Sequence, residues 1–569
     1  MRAAKTIWSL FLFFVCGLLY AQNLETIGQG KAFSISGGLN INQVFYQADG
    51  VENRRDPYNY FIAGNLNLAI YGWSVPFSFS YSDQNTSFQQ PFNQYGMSPT
   101  YKNVTAHIGF RSMNFSRYSL AGHLFLGAGA EVAVNEKLKV AAMYGRLNKA
   151  VESDTSQSLN TPAYKRMGGG AKVTYGTAEN FVDLTFFKAK DDVESISNPP
   201  TEEIKPEENL VLGLGFGVSP IKGLSLKGEV AGSALTTDTR AEQVSTGNIY
   251  DHLNFLIPQR VSSSFYKAMN GTVSYQFSQY VFGVNYERVD PGYRTLGAYY
   301  FNNDLENIAL IHRSSWLQQK LNLNLRVGVQ KNNLDNSELS SMRRVSMSGS
   351  VNYQITPRFT TQFNYSDFNT YVNFRPLVEV IDQSTPYDNM DTLNYHQLAR
   401  QASSNFNLVL SERKVSRQNL NVNFSFQETT EGRATEDTYS GTRFYNLNTA
   451  YILSMGETGW SFNMAGNVNL TQAQINNLIV GPSASVRKSM LDNKLSTHLT
   501  FSYNQARVEG AIATRIYNLR AGGNYTFKEV HQFTLNTTAI DRNSPGKEAS
   551  SHFREFVAEV GYNYRFGGG

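Results

Sequence analysis

The feature that most constrains this chain is an alternation with a period of two. Leu321, Leu323, Leu325, Val327 and Val329 alternate with Asn322, Asn324, Arg326, Gly328 and Gln330. Leu420, Val422, Phe424 and Phe426 alternate with Asn421, Asn423, Ser425 and Gln427, and Leu495 to Tyr503 and Tyr517 to Tyr525 repeat the pattern. Successive side chains of a strand point to opposite faces. Each segment therefore presents one uncharged face and one polar face, the polar one carrying residues such as His498 and Arg520.

Such segments run from Phe33 to Phe566 with no long helical pattern between them. Short turn signals join them in pairs at Thr177–Asn180, Ser219–Gly223, Thr356-Pro357, Met455–Gly459 and Leu491–Asn493. Longer polar loops separate the pairs, at 48–57, 86–101, 149–162, 190–207, 237–261, 290–305, 369–393 and 430–441. Short turns at one end and long loops at the other are the pattern of a transmembrane β-barrel, with the short turns periplasmic. A secreted β-sandwich is the rival fold, but its strands average about 5–6 residues. The segments here read as about 10–16, which suits a tilted membrane crossing. About 25 segments are recognisable, and a closed single-chain barrel needs an even number, so 24 or 26 are expected. The parity question falls near residues 86–135. There Phe115–Ser119 and Val134–Lys137 both read as short turns, and they cannot both be periplasmic.

Composition agrees. The chain holds 33 Tyr, 37 Phe and 45 Gly but only 17% charged residues, and its mean hydropathy is −0.36. No apolar stretch of helix-spanning length follows the amino terminus. A barrel with a polar lumen averages to such a value, because only alternate residues face lipid.

The amino terminus reads as a secretory leader. Arg2 and Lys5 precede an apolar run from Ile7 to Tyr20, and Ala21-Gln22 follows. The run is shorter than the roughly 20 residues of a membrane helix. Cleavage is expected after Ala21, leaving residues 22–569 as one barrel domain. Cys16 raises the idea of a lipid anchor, but Phe13-Phe14-Val15 stand where small residues are needed. Cys16 is the single cysteine, so the mature chain has no disulfide, thiol nucleophile or thiolate metal site. Loss of Arg2 and Lys5 lowers the formal charge from +4 to +2, which gives no case for nucleic-acid binding.

At the carboxyl terminus, Phe556, Ala558, Val560, Tyr562, Tyr564 and Phe566 alternate with Glu555, Glu559, Gly561, Asn563 and Arg565. This resembles the closing strand of outer-membrane barrels, except that Gly567-Gly568-Gly569 follow the aromatic residue on which the family pattern ends. With the Ala21-Gln22 junction, the Asn- and Tyr-rich strands and the missing cysteines, the mature chain resembles outer-membrane barrel proteins of Bacteroidota type. That resemblance implies location and fold and no substrate. It implies outer-membrane lipid as a partner, and the barrel-assembly machinery during insertion.

A barrel of this size would leak if empty. Only Gln22 to Lys31 lies between the expected cleavage and Phe33, so no separate plug domain is expected. Closure then falls to inward loops or to a periplasmic or surface protein partner, and at least one loop is expected to fold inward. Three loops are candidates. Gln90 to Pro99 contains Pro91, Phe92 and Tyr95, stiff and able to pack as a constriction. Arg288 to Asp304 contains Asp290-Pro291-Gly292, a strong turn signal, then Tyr293, Tyr299, Tyr300 and Phe301. Its aromatic cluster suits sugar or partner binding, or a membrane girdle. The third holds Asp191, Asp192, Glu194, Glu202, Glu203, Glu207 and Glu208, hard oxygen ligands suited to calcium, although a solvated loop is the simpler account.

No catalytic constellation is legible. The eight histidines show no metal-ligand spacing, and neither a G-x-S-x-G elbow nor a phosphate-binding loop is present. Gly168-Gly169-Gly170 lies in a strand and marks a close backbone approach or a bend. The expected role is a channel or transporter for solutes, lipids or polypeptide, without cofactor. A membrane anchor or assembly module is the alternative, and an outer-membrane enzyme is third.

Overall fold

The computed structural model describes residues 33–83, 93–152, 162–197, 204–245, 254–337, 343–369, 397–413, 415–431, 441–545 and 552–567. The expected leader, Pro91 and Phe92 lie outside these residues.

Twenty-seven strand segments, numbered β1 to β27 in chain order, form one antiparallel sheet among the described residues. It closes on itself. β1 (Phe33–Asp49) pairs with β27 (His552–Phe566) from Gly37↔Phe566 to Asp49↔Arg554. The even count is restored by a split strand. β4 (Gln94–Met97) and β5 (Thr100–Tyr101) both lie between β3 (Trp73–Ser82) and β6 (Val104–Asn114), so together they make one wall position and the barrel has 26. The two halves stay in the ladder, because Ser98 N donates to Pro76 O and Ala106 N to Pro99 O.

The split strand also answers the parity question. Lys102-Asn103 is the short turn before β6. Phe115–Ser119 then lies at the long-loop end and Val134–Lys137 at the short-turn end. The other short-turn signals fall between strands as expected.

The alternation gives the wall two chemically distinct faces. Leu214 and Val230 are paired neighbours, both exposed and apolar, whereas Gly213 and Ala231, one residue along, are paired on the opposite face. The outward series includes Leu184, Phe282, Leu499 and Leu535, and Leu310 is 65% exposed. Such a continuous apolar exterior needs hydrocarbon around it. The closed ladder satisfies the backbone, as a membrane span requires. Trp73, Tyr101, Tyr175, Trp316 and Trp460 sit next to the short turns and form the aromatic girdle of that end. Trp73 stacks on Tyr101 at 4.8 Å, and Lys488 Nζ lies 4.6 Å from the centre of the Trp460 ring. The inner face of the carboxyl-terminal half is lined by amides, with Asn405 donating to Asn423 and Asn446 to Asn469.

Candidate functional site

The larger of the two buried apolar clusters lies inside the barrel, on one side. Phe187 and Ala189 of β10 (Phe181–Asp192), Val211, Ala231, Ala268 and Val289 project from the face opposite the lipid-facing residues. Against them pack Phe115, Tyr118, Leu120, Tyr293 and Leu296, which come from two connections at the long-loop end.

The first connection is the tip of the hairpin between β6 and β7 (Ala121–Ala133). Pairing of β6 with β4 stops at Gly96↔Gly109, and pairing of β7 with β8 (Leu138–Asn148) stops at Leu126↔Arg146. Beyond those points, among the described residues, the strand-ladder partners of residues 110–125 come from β6 and β7 alone, through Arg111↔Phe125, Ser112↔Leu124 and Asn114↔Ala121. They form an arm that leaves the wall and enters the lumen. A row of glycines marks the crease. Gly96, Gly109, Gly127, Gly145 and Gly168 are paired in succession across five strands. A Cβ on Gly127 would lie 2.1 Å from the Tyr144 carbonyl oxygen, and one on Gly109 2.4 Å from that of Tyr95. Gly109 also has φ +90°, a conformation glycine adopts at no steric cost.

The second connection runs from Asp290 to Asp304. Asp290-Pro291-Gly292-Tyr293 is a turn, with Tyr293 N donating to Asp290 O at 3.1 Å and Gly292 at φ +76°. It drives Tyr293 inward, where the ring is fully buried and meets Tyr118 edge to face at 6.1 Å. Phe301 packs on both rings. The Tyr293 hydroxyl donates to the Tyr118 carbonyl at 2.8 Å, Thr295 Oγ1 to the Ser119 carbonyl at 2.8 Å, and Ala121 N to the Gly297 carbonyl at 2.9 Å. Tyr299 stacks on His123 at 4.1 Å and accepts from Leu124 N. Burial pushes the Tyr118 and Tyr293 phenols well above their ordinary range, so both remain neutral donors.

Charges lock the arm at its edges. Arg117 pairs with Glu287 at 2.5 Å, and Lys172 donates to the Phe115 carbonyl at 2.9 Å while pairing with Asp183 at 3.1 Å. Above them Arg166 grips Asp191 through two hydrogen bonds of 2.7 and 2.8 Å and reaches Glu207 at 2.9 Å, and Arg294 also pairs with Glu207. Burial lowers the Arg294 pKa from its ordinary value.

The sequence-derived candidates separate here. Tyr293 is at the centre of the buried contact. Asp290 accepts from Lys267 N at 2.9 Å, and Asp304 accepts from Asn333 N and Leu334 N at 2.7 and 2.9 Å. Both carboxylates brace backbone turns. Tyr95 corrects the expected loop 90–99: it lies in wall strand β4, beside Phe79 on the lipid-facing side. Asp191, Asp192, Glu207 and Glu208 each face a cationic side chain. Lys165 pairs with Asp192 and Lys188 with Glu208, and Glu202 and Glu203 lie outside the described residues. Among the described residues no cluster of His, Cys, Asp and Glu suits a metal ion. Sequence reasoning missed Arg117 and Tyr118, read as part of an ordinary short turn. The available signal was the parity conflict itself. The triple glycine is a site of close approach, as expected: a Cβ on Gly170 would meet the Phe115 ring at 3.0 Å and one on Gly168 the Leu147 side chain at 2.6 Å.

The class that this architecture defines is the transmembrane β-barrel of the bacterial outer membrane. No protein-family model matches the chain, and no curated protein does. Among solved structures, the ferric citrate transporter FecA in its unliganded form is similar at TM-score 0.37 and 10% identity, over 94% of this chain and 78% of that one. The P pilus usher PapC translocation pore gives 0.35 and 9%, over 94% and 100%. Pseudomonas aeruginosa OccK5 gives 0.30 and 10%, over 94% and 98%. All three scores are below 0.5, a level at which no function transfers.

Proposed function

We propose that this protein is an outer-membrane channel or transporter whose lumen is closed by the inward arm and the 290–304 loop acting as one plug. The observation that carries this reading is the buried contact between Tyr118 and Tyr293. It joins two connections that would otherwise lie in solvent. Orienting two loops in a lumen costs conformational entropy, about 1–2 kcal/mol for each ordered backbone residue. Apolar burial and satisfied carbonyls offset that cost. The rim of ion pairs makes the plug a docked element rather than part of the wall, and docked elements open at lower free energy than the scaffold that holds them.

Planar-bilayer recordings test this. The intact protein should be silent or open rarely. Removal of residues 115–119 should raise the conductance while the barrel still assembles. Equal conductance in the two proteins would defeat the reading.

A further inference from the structure

One row of the wall's inner face is made of a single chemistry. Asn322, Asn352, Gln362, Asn405, Asn423, Asn448 and Asn467 are paired in succession across seven consecutive strands, from β16 (Leu321–Lys331) to β22 (Trp460–Gln472). Alternation fixes the face. Phe363, Phe406, Phe424, Leu447 and Val468 each adjoin a member of the row in sequence, and all five are exposed on the lipid side. The amides therefore point into the lumen, where Asn352, Gln362, Asn405 and Asn423 are exposed. The next row, from Asn324 to Asn469, holds only Asn and Ser. No charged side chain stands in either row. Gly481 follows Asn467 in the pairing, and a Cβ there would lie 2.5 Å from Asn467 Oδ1 and would overlap Asn504 Oδ1. The glycine leaves room for the two amides to approach, so the row continues into Asn504.

Amide side chains both donate and accept, as sugar hydroxyls do. Asn405 donates to Asn423, which uses one of its two N–H groups and leaves capacity for a ligand. Hydration alone does not account for the composition. Asn is disfavoured in strands, whereas Thr is favoured there and also binds water. Adjacent strands lie about 4.8 Å apart, so the row extends for about 29 Å with the same group at every step. A regular array of that length matches a chain of repeating units. Without cations the row has nothing to pair with an anionic glycan, and without carboxylates nothing to pair with a polycation. Among the described residues, the apolar contact of the plug is made on wall residues that precede β16, so plug and row occupy different parts of the wall.

We infer that this row is a binding track for a neutral oligosaccharide, which lies across the strands and exchanges hydrogen bonds with successive amides. The inference rests on the reading that the protein is a channel or transporter, and it names the class of solute. A sugar chain moves along the track by trading one amide for the next, with no ion pair to hold it at any step. Lumen-facing residues tune selectivity in barrels of this kind.

Calorimetric titration tests this on the full chain in detergent micelles and on the 115–119 deletion. The probes are maltohexaose and laminarihexaose, which are neutral, hexagalacturonate, which is anionic, and a hexapeptide of alternating Ser and Gly. At least one neutral hexasaccharide should bind about tenfold more tightly than hexagalacturonate or the peptide. Failure of both neutral sugars to bind either protein, or equal binding of hexagalacturonate or the peptide, overturns the track. The triple variant Asn405→Thr, Asn423→Thr, Asn448→Thr keeps polar side chains that strands accept, and should weaken sugar binding by about tenfold. Asn65→Thr, on the lumen face outside the row, should leave binding unchanged. Equal effects of the two variants overturn the assignment to this row. Conductance of the deletion is read separately. A conducting deletion with no sugar binding in either protein removes the track and leaves the closure reading standing, and a silent deletion removes the closure reading on its own.

Discussion

The hydroxyl of Tyr293 donates to the backbone carbonyl of Tyr118 at 2.8 Å, and the two residues are 175 positions apart in the chain. Both rings are fully buried. The bond therefore reports on one thing, whether the second connection is docked on the arm. Nothing in the wall ladder depends on it.

Substitution separates the hydrogen bond from the packing. Tyr293→Phe keeps the ring and strands the Tyr118 carbonyl, at a cost of about 1–3 kcal/mol. Tyr293→Ala also empties the site, for about 3–5 kcal/mol. Both variants should insert normally and keep the heat-modifiable gel shift of a closed barrel. Channel open probability should rise from wild type to Phe to Ala. A drop in barrel stability with no change in conductance would place Tyr293 in the scaffold instead.

Alkaline pH should open the plug. The Tyr118 and Tyr293 phenols have pKa values raised by burial. A group raised in the folded state contributes stability that is fully present below its unfolded pKa, about 10 for tyrosine, and is lost as pH rises toward the folded value. Conductance should therefore climb above about pH 10. The double variant Tyr118→Phe, Tyr293→Phe should show a flatter profile over that range, which separates the phenols from nearby lysines. Identical profiles in the two proteins would count against the assignment.

The barrel was legible because period-two alternation is local: each strand announces its own two faces. Tyr293 was legible because Asp290-Pro291-Gly292 fixes a tight turn ahead of an aromatic run. The arm was not, since Phe115–Ser119 has the length of an ordinary turn, and only its non-local partners at Tyr293 and Glu287 draw it inward. The glycine row was hidden for the same reason. Gly96, Gly109, Gly127, Gly145 and Gly168 sit on five strands, and their alignment exists only once the register is set. Tyr95 misled because Pro91 and Pro99 flank it, yet Pro99 occupies the interruption between β4 and β5, where the wall tolerates a residue without an N–H.

Salt should act on the arm through Arg117 and Glu287. The Arg117 side chain is 56% exposed and that of Glu287 12%, so screening limits the pair to about 1 kcal/mol or less. Arg117→Gln should raise open probability modestly at low salt, and the difference from wild type should shrink as ionic strength increases. Glu287→Gln should act in the same direction. A salt-independent effect would show that Arg117 works through its stacking on the Tyr118 ring, over which it sits at 5.1 Å.

Calcium should leave the 191–208 rim unchanged. Asp191, Asp192, Glu207 and Glu208 each have a cationic side chain within 3.2 Å. A metal would have to displace Arg166 or the lysines before it found ligands. Melting temperature measured with calcium and with a chelator should coincide. A clear calcium-dependent rise would mean that the ion pairs exchange for metal, and would return this rim to the list of binding sites.

The glycine crease makes the sharpest demand. A Cβ at Gly127 meets the Tyr144 carbonyl at 2.1 Å and Gly145 Cα at 2.5 Å, both backbone atoms that cannot swing aside. Gly127→Ala must therefore push β7 away from β8 at the level where the arm turns. Gly122 differs: it has φ +70°, but a Cβ there meets nothing within 4 Å. Gly122→Ala should cost only its backbone strain, about 1–3 kcal/mol, while Gly127→Ala should cost more and reduce the yield of folded barrel. In whatever fraction of Gly127→Ala does fold, the arm should be undocked and the channel open, whereas Gly122→Ala should remain mostly closed. Protease accessibility at Arg117, high in the first and low in the second, reads this directly, and the reverse order would mean that the row is not where the arm bends.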